Sequence, residues 1–137
     1  MRAWPFILGL TAIVLVPMAR ADDCNNAPDQ TSMNRCMAQA YERADGELNR
    51  LYQQIIGRLK GDADMAKTRA ALVATQRAWI AFRDLECDFV GTGTTGGTIN
   101  SSIIASCRTD LTNKRIDDFK AYLKCEEGDL SCPVPPK

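Results

Sequence analysis

Met33, Met37, Ala40, Ala44, Leu48, Leu51, Ile55 and Leu59 follow one another at uninterrupted steps of three and four residues. Only a helix brings such positions to one side, because residues three and four apart share a helical face while a strand alternates every second residue. A long amphipathic helix over 31–60 is the first fixed point of the fold. Pro28 in the polar stretch before it bars an earlier start, and Thr31 or Ser32 can cap it. Gly57 and Gly61 loosen its end, and Asp62 or Asp64 can cap a second helix. In the segment after them Met65, Leu72 and Trp79 repeat at seven, beside Val73, Ile80 and Cys87, and Phe82 and Phe89 widen the apolar face. That pattern predicts the second helix over 64–90, and the short turn before it favours an antiparallel hairpin. Ile104, Cys107, Leu111, Arg115, Phe119 and Tyr122 return to steps of three and four, predicting a third helix over 101–124. No segment alternates with a period of two. The expected fold is all-α, a small antiparallel helical bundle of three main helices.

Residues 1–21, MRAWPFILGLTAIVLVPMARA, carry a basic Arg2, an apolar run from Trp4 to Val16 and the small-x-small ending Ala19-Arg20-Ala21. This is the pattern of a secretory signal peptide cleaved after Ala21, which predicts a periplasmic or secreted protein of bacterial type. Cys24 stands behind Asp22 and Asp23 instead of directly after the cleavage motif, so no lipid anchor and no stable membrane attachment are expected. The remainder divides into a helical domain, 22–125, and a polar, Pro-rich tail, 126–137. Without Arg2 and Arg20, 15 basic side chains face 17 acidic ones, a balance that predicts no nucleic-acid partner. All six cysteines, Cys24, Cys36, Cys87, Cys107, Cys125 and Cys132, lie beyond the leader, and an even count in an exported chain reads as disulfides. Sequence neighbours (24–36, 87–107, 125–132) are the first choice of pairing; 36–87 with 24–107 is the alternative. Under both, Cys125 bonds Cys132.

The chain has no histidine. Ser-His and Cys-His nucleophiles are therefore excluded, and the commonest zinc ligand is missing. No C-x-x-C pair offsets that, so no metal is expected, and the protein is not read as an enzyme. Three features suggest chemistry and fail on context. Gly91-Thr92-Gly93-Thr94-Thr95-Gly96 spells the dinucleotide-binding pattern, but it follows a helix where a strand is needed. Asp62-Ala63-Asp64 resembles the start of a calcium loop, yet Val73 stands where a bidentate Glu must be. Asp117-Asp118 and Glu126-Glu127 are adjacent in sequence, about 100° apart on a helix, and cannot oppose each other across a cleft. Arg115 interrupts an apolar stripe and is expected half-buried on a carboxylate such as Asp84 or Glu86.

Several blocks together carry a resemblance. They are Met33-Asn34-x-Cys36; Tyr41-x-x-Ala44-Asp45-x-x-Leu48-Asn49-x-x-Tyr52; Gln76-Arg77-Ala78-Trp79-Ile80-Ala81-Phe82-Arg83-Asp84-x-x-Cys87; Gly96-Gly97-Thr98; and Cys107 with Leu111-Thr112-x-x-Arg115. The chain resembles the LprI-type lysozyme-inhibitor domain over about residues 24–125. The resemblance implies an exported helical domain stapled by cysteines, without a cofactor, that binds a lysozyme by direct contact. The alternative is an envelope interaction or scaffolding module with no lysozyme target. An inhibitor must offer a preorganised protrusion, because rigid loops lose less entropy on binding. The candidate is 91–102, GTGTTGGTINSS, uncharged and rich in hydroxyls, with Thr92, Thr94, Thr95, Thr98 and Asn100 as partner-binding residues. An acidic face with Asp117 and Asp118 is a second candidate surface.

Overall fold

The computed structural model describes residues 24–61 and 63–136; the expected leader and its cleavage site lie outside them, as does Asp62. Three helices account for the architecture: α1 (Gln30–Arg58), α2 (Ala63–Gly91) and α3 (Asn100–Leu123), with a single 3-10 turn at Thr92–Thr94 between the last two. The described residues contain no strand. The ends fall within two residues of those expected from the apolar spacing.

The start of α1 differs from expectation for a clear reason. Asp29 is extended, at φ −153° and ψ 168°, and its carboxylate accepts the Ser32 N–H at 2.7 Å. Asp29 is therefore the cap, ahead of Thr31 and Ser32, and the Ser32 hydroxyl donates to its other oxygen at 3.2 Å. At the far end, the Arg58 guanidinium donates to the Leu123 carbonyl at 2.9 Å and so satisfies one of the open acceptors of the last turn of α3.

α1 and α3 run parallel, since their first turns meet at Gln30, Asn34 and Ser102 and their last turns at Arg58 and Leu123. α2 returns antiparallel to both. α3 packs closest on α1 and less closely on α2, while α1 and α2 meet mainly through long side chains. The core follows the α1 stripe: Ala44, Leu48, Leu51, Ile55 and Leu59 pack against Ile116 and Phe119, with Tyr52 stacked on Phe119 at 6.4 Å between ring centroids. Burying each large side chain stabilises the fold by about 1.5–3 kcal/mol.

All six cysteines are bonded to their sequence neighbours, with Cα separations of 5.7 Å for Cys24–Cys36, 5.5 Å for Cys87–Cys107 and 5.8 Å for Cys125–Cys132. A loop the size of the second is worth ~3 kcal/mol in the chain-entropy account. The third bond turns the chain back after α3, and Val134 is packed into the core cluster at 2% exposure.

α2 is oriented otherwise than its sequence pattern suggests. Its buried residues are Gln76, Arg83, Cys87 and Gly91, Leu72 and Trp79 are half-buried, and Phe82, Leu85 and Phe89 are 53%, 71% and 70% exposed. Two neighbours of α3 fix that rotation. Cys107 holds Cys87, and at Gly91 a Cβ would stand 2.8 Å from Ile104 Cγ1, so only glycine lets the two helices approach there. The aromatic pair that widens the apolar face in sequence is thereby directed to solvent.

Candidate functional site at the loop end of the bundle

The GTGTTG run forms the turn between α2 and α3. Gly91 provides close approach, Gly96 takes φ +80°, a conformation that side chains resist, and three threonines bond to the backbone behind them. The Thr92 hydroxyl donates to the Phe89 carbonyl at 2.8 Å, that of Thr94 to the Gly91 carbonyl at 3.1 Å, and that of Thr95 to the Thr92 carbonyl at 3.0 Å. The Asn100 amide reaches across the turn to the Gly91 carbonyl at 2.7 Å and to the Thr94 hydroxyl at 2.9 Å. Of the five candidate residues, Thr92, Thr95 and Thr98 are exposed; Thr94 and Asn100 face inward and brace the turn.

A second set of residues, of which Gln30 and Asn34 are not singled out as a site from sequence, ties this loop to α1. The Asn34 amide donates to the Thr98 carbonyl at 2.9 Å, and its oxygen accepts from Gln30 at 2.7 Å and from the Ser102 hydroxyl. Gln30 also donates to Ser102 at 3.2 Å. The loop is thus pinned from both sides, by Cys87–Cys107 and by Asn34. Nothing in the spacing announces this cluster, since Ser102 lies 72 residues from Gln30 and 68 from Asn34.

Leading into the loop is the exposed row Phe82, Leu85 and Phe89, continued toward the start of α2 by the exposed Ala78 and Ala74. Val90 and Ile99, at 46% and 44% exposure, bracket the turn. At 100° per residue the row lies roughly opposite the buried Gln76, Arg83 and Cys87, with no charged side chain along it.

Behind that row lies a polar seam. The Arg83 side chain is 5% exposed; its Nη1 donates to Asp45 at 3.0 Å and to the Thr112 hydroxyl at 3.4 Å, and its Nε donates to Asp84 at 3.0 Å. Its guanidinium carbon lies 5.2 Å from the ring centroids of both Tyr41 and Trp79. Burial works against its charge, and the bonds to Asp84 and Asp45 more than offset that, holding its pKa above the ordinary arginine value. Burial likewise raises the Tyr41 pKa, although Arg83 pulls it back. Arg115 occupies the next layer, 5.9 Å from the Trp79 ring and 4.7 Å from that of Phe119. It pairs with Gln76 Oε1 at 3.2 Å and Asp118 at 3.3 Å, neither of them the Asp84 or Glu86 expected. Asp84 is taken by Arg83 and by Arg108 at 3.6 Å. Trp79 thus lies between two arginines, and Gln76, Trp79, Arg83 and Asp84 hold α2 to its neighbours.

Among the described residues no group of three or more Cys, Asp or Glu side chains is placed to hold a metal ion, and no helix is long and apolar enough to cross a membrane. The family profile described as "Lysozyme inhibitor LprI" matches residues 21–119. Uncharacterized protein R02472 of Rhizobium meliloti (strain 1021) is 34% identical over 114 residues, covering 77% of this chain and 82% of its own length. Uncharacterized protein YecT of Escherichia coli (strain K12) is 28% identical over 123 residues, covering 77% of this chain and 74% of its own. No solved structure gives a significant match. The seam residues Gln76, Trp79, Arg83 and Asp84, the blocks around them and the match over most of the chain lead to one conclusion: this protein belongs to the LprI lysozyme-inhibitor family.

Proposed function

We propose that this protein is an exported, periplasmic or secreted, non-catalytic binding protein that inhibits a lysozyme by direct contact, using the loop end of the bundle. The observation that carries the reading is the exposed apolar row Phe82, Leu85 and Phe89 leading into a pinned, uncharged loop. Exposed apolar patches on a folded chain mark contact surfaces, and buried aromatic anchors supply most of the affinity of an interface. Phe82 and Phe89 are those anchors. Thr95 and Thr98 at the turn stand in for sugar hydroxyls as hydrogen-bond partners in the enzyme's cleft, and Thr92 extends that contact. Thr94 and Asn100 act indirectly, by keeping the turn rigid. Asp117 and Asp118 are both exposed, but Asp118 is engaged with Arg115, so the acidic face is the weaker candidate.

Cell-wall lysis by lysozymes of the c, g and i types, titrated with the disulfide-bonded protein, tests the reading. Saturable inhibition of one class near stoichiometric protein supports it. Inhibition that survives both the double variant Phe82→Ser, Phe89→Ser and the triple variant Thr92→Ala, Thr95→Ala, Thr98→Ala moves the contact elsewhere. If the folded protein inhibits none of the three classes, the inhibitor reading falls. The same row is then the contact surface of an envelope scaffold.

A further inference from the structure

A cleft opens at the opposite end of the molecule, between the last turns of α1 and α3, the first half of α2 and the returning tail. Its room is about 180 Å³. Leu59, Leu72, Tyr122 and Val134 form apolar walls, and Thr75 and Arg115 supply polar ones. The Arg115 side chain is 9% exposed, and only two of its nitrogens are engaged, Nε by Gln76 and Nη1 by Asp118. Nη2 has no hydrogen-bond partner among the described residues, and neither do the hydroxyls of Thr75 and Tyr122. The Thr68 hydroxyl beside them is already committed to the Asp64 carbonyl at 3.1 Å.

We propose that this cleft binds a small amphipathic monocarboxylate, its carboxylate on Arg115 and its apolar part against Leu59, Leu72, Tyr122 and Val134. Three physical arguments lead to that class. A guanidinium holds its plane and presents its donors in a fixed fork that matches a carboxylate, and here the plane is further fixed over the Phe119 ring. The one acid bonded to Arg115, Asp118, is 56% exposed, so much of its charge is screened by water and the guanidinium keeps attraction for a second anion. Around that one cation the walls are apolar, which favours a ligand with one charged end and a hydrocarbon remainder. The room sets its size. An engineered apolar cavity of about 150 Å³ takes benzene, so a ring or an acyl chain of roughly six to eight carbons fits. The site is separate from the loop end, and the proposal does not rest on the lysozyme reading.

Octanoate is the probe, with 1-octanol and acetate as controls, and amide shifts of the disulfide-bonded protein are the readout. Saturable shifts with octanoate are expected at Leu72, Thr75, Arg115 and Val134. Trp79, the one tryptophan beyond the leader, should report through its indole N–H. Octanol should bind at least tenfold more weakly, and acetate should leave these residues unmoved. Arg115→Gln should abolish the preference for octanoate over octanol. Because Arg115 also braces Gln76, a second variant leaves that network alone: Ala71→Phe, at an exposed position lining the cleft, should fill it and lower octanoate affinity at least tenfold. Octanoate giving no saturable shifts, octanol binding equally well, or Ala71→Phe leaving affinity unchanged would each overturn the proposal.

Discussion

α1 and α2 have equal length and opposite logic. α1 buries Met37, Ala40, Ala44, Leu48, Leu51 and Ile55 and leaves its charged side chains exposed or half-exposed. α2 buries Gln76 and Arg83, and turns Phe82, Leu85 and Phe89 to water. The first pattern is what a stable core requires. The second costs stability twice, by desolvating polar groups and by leaving apolar area wet. Such an arrangement makes sense when the buried polar groups fix one helix rotation and the exposed apolar row has a partner. α1 thus carries the fold, and α2 carries the orientation and the exposed row proposed as the contact surface.

The comparison breaks if substitutions on the two helices cost alike. The largest loss is expected in the core that α1 shares with α3: Phe119→Ala should lower unfolding stability by about 4 kcal/mol in urea titrations. Arg83→Ala should cost about 2 kcal/mol, less than a core aromatic, because the two carboxylates it abandons, Asp45 and Asp84, are near 40% exposed and can be hydrated. Phe82→Ser with Phe89→Ser should change stability by no more than about 0.5 kcal/mol while removing partner binding. A loss comparable with that of Phe119→Ala would mean the row is core after all. The smallest effect concerns acid. The Ser32 N–H holds the Asp29 carboxyl below its ordinary value of 3.8, so its contribution to the start of α1 is present above that pH and lost as pH falls through the lower folded value. Amide exchange in the first turn should rise only in that acid window, and Asp29→Asn, which keeps a capping oxygen, should abolish the dependence.

The helices were legible in the sequence because α1 is apolar on one side only, and a single stripe leaves one way to bury it. The cysteine pairing was legible as a first choice because each partner is the next cysteine along. The rotation of α2 was not, since a helix with two apolar sides does not say which is covered; Gly91 against Ile104 and Cys87 against Cys107 decide it. The partner of Arg115 was missed for a related reason: Asp118, one turn further along α3, is closer than any acid on α2. The candidate site was legible only in part. The loop could be located, but Thr94 and Asn100 could not be separated from Thr95 and Thr98, because hydroxyl-rich composition is silent about which groups the backbone claims. Asn34 was invisible as an anchor because its partner Thr98 lies 64 residues away.

The connectivity of the three disulfides bears on how the chain is made. Each cysteine bonds the next one along, at separations of 12, 20 and 7 residues, and no bond spans another. A chain emerging amino end first offers an oxidant one pair at a time, and at each step the two thiols exposed are the two that belong together. Pairing in order of arrival therefore gives the finished pattern without any bond having to be reshuffled.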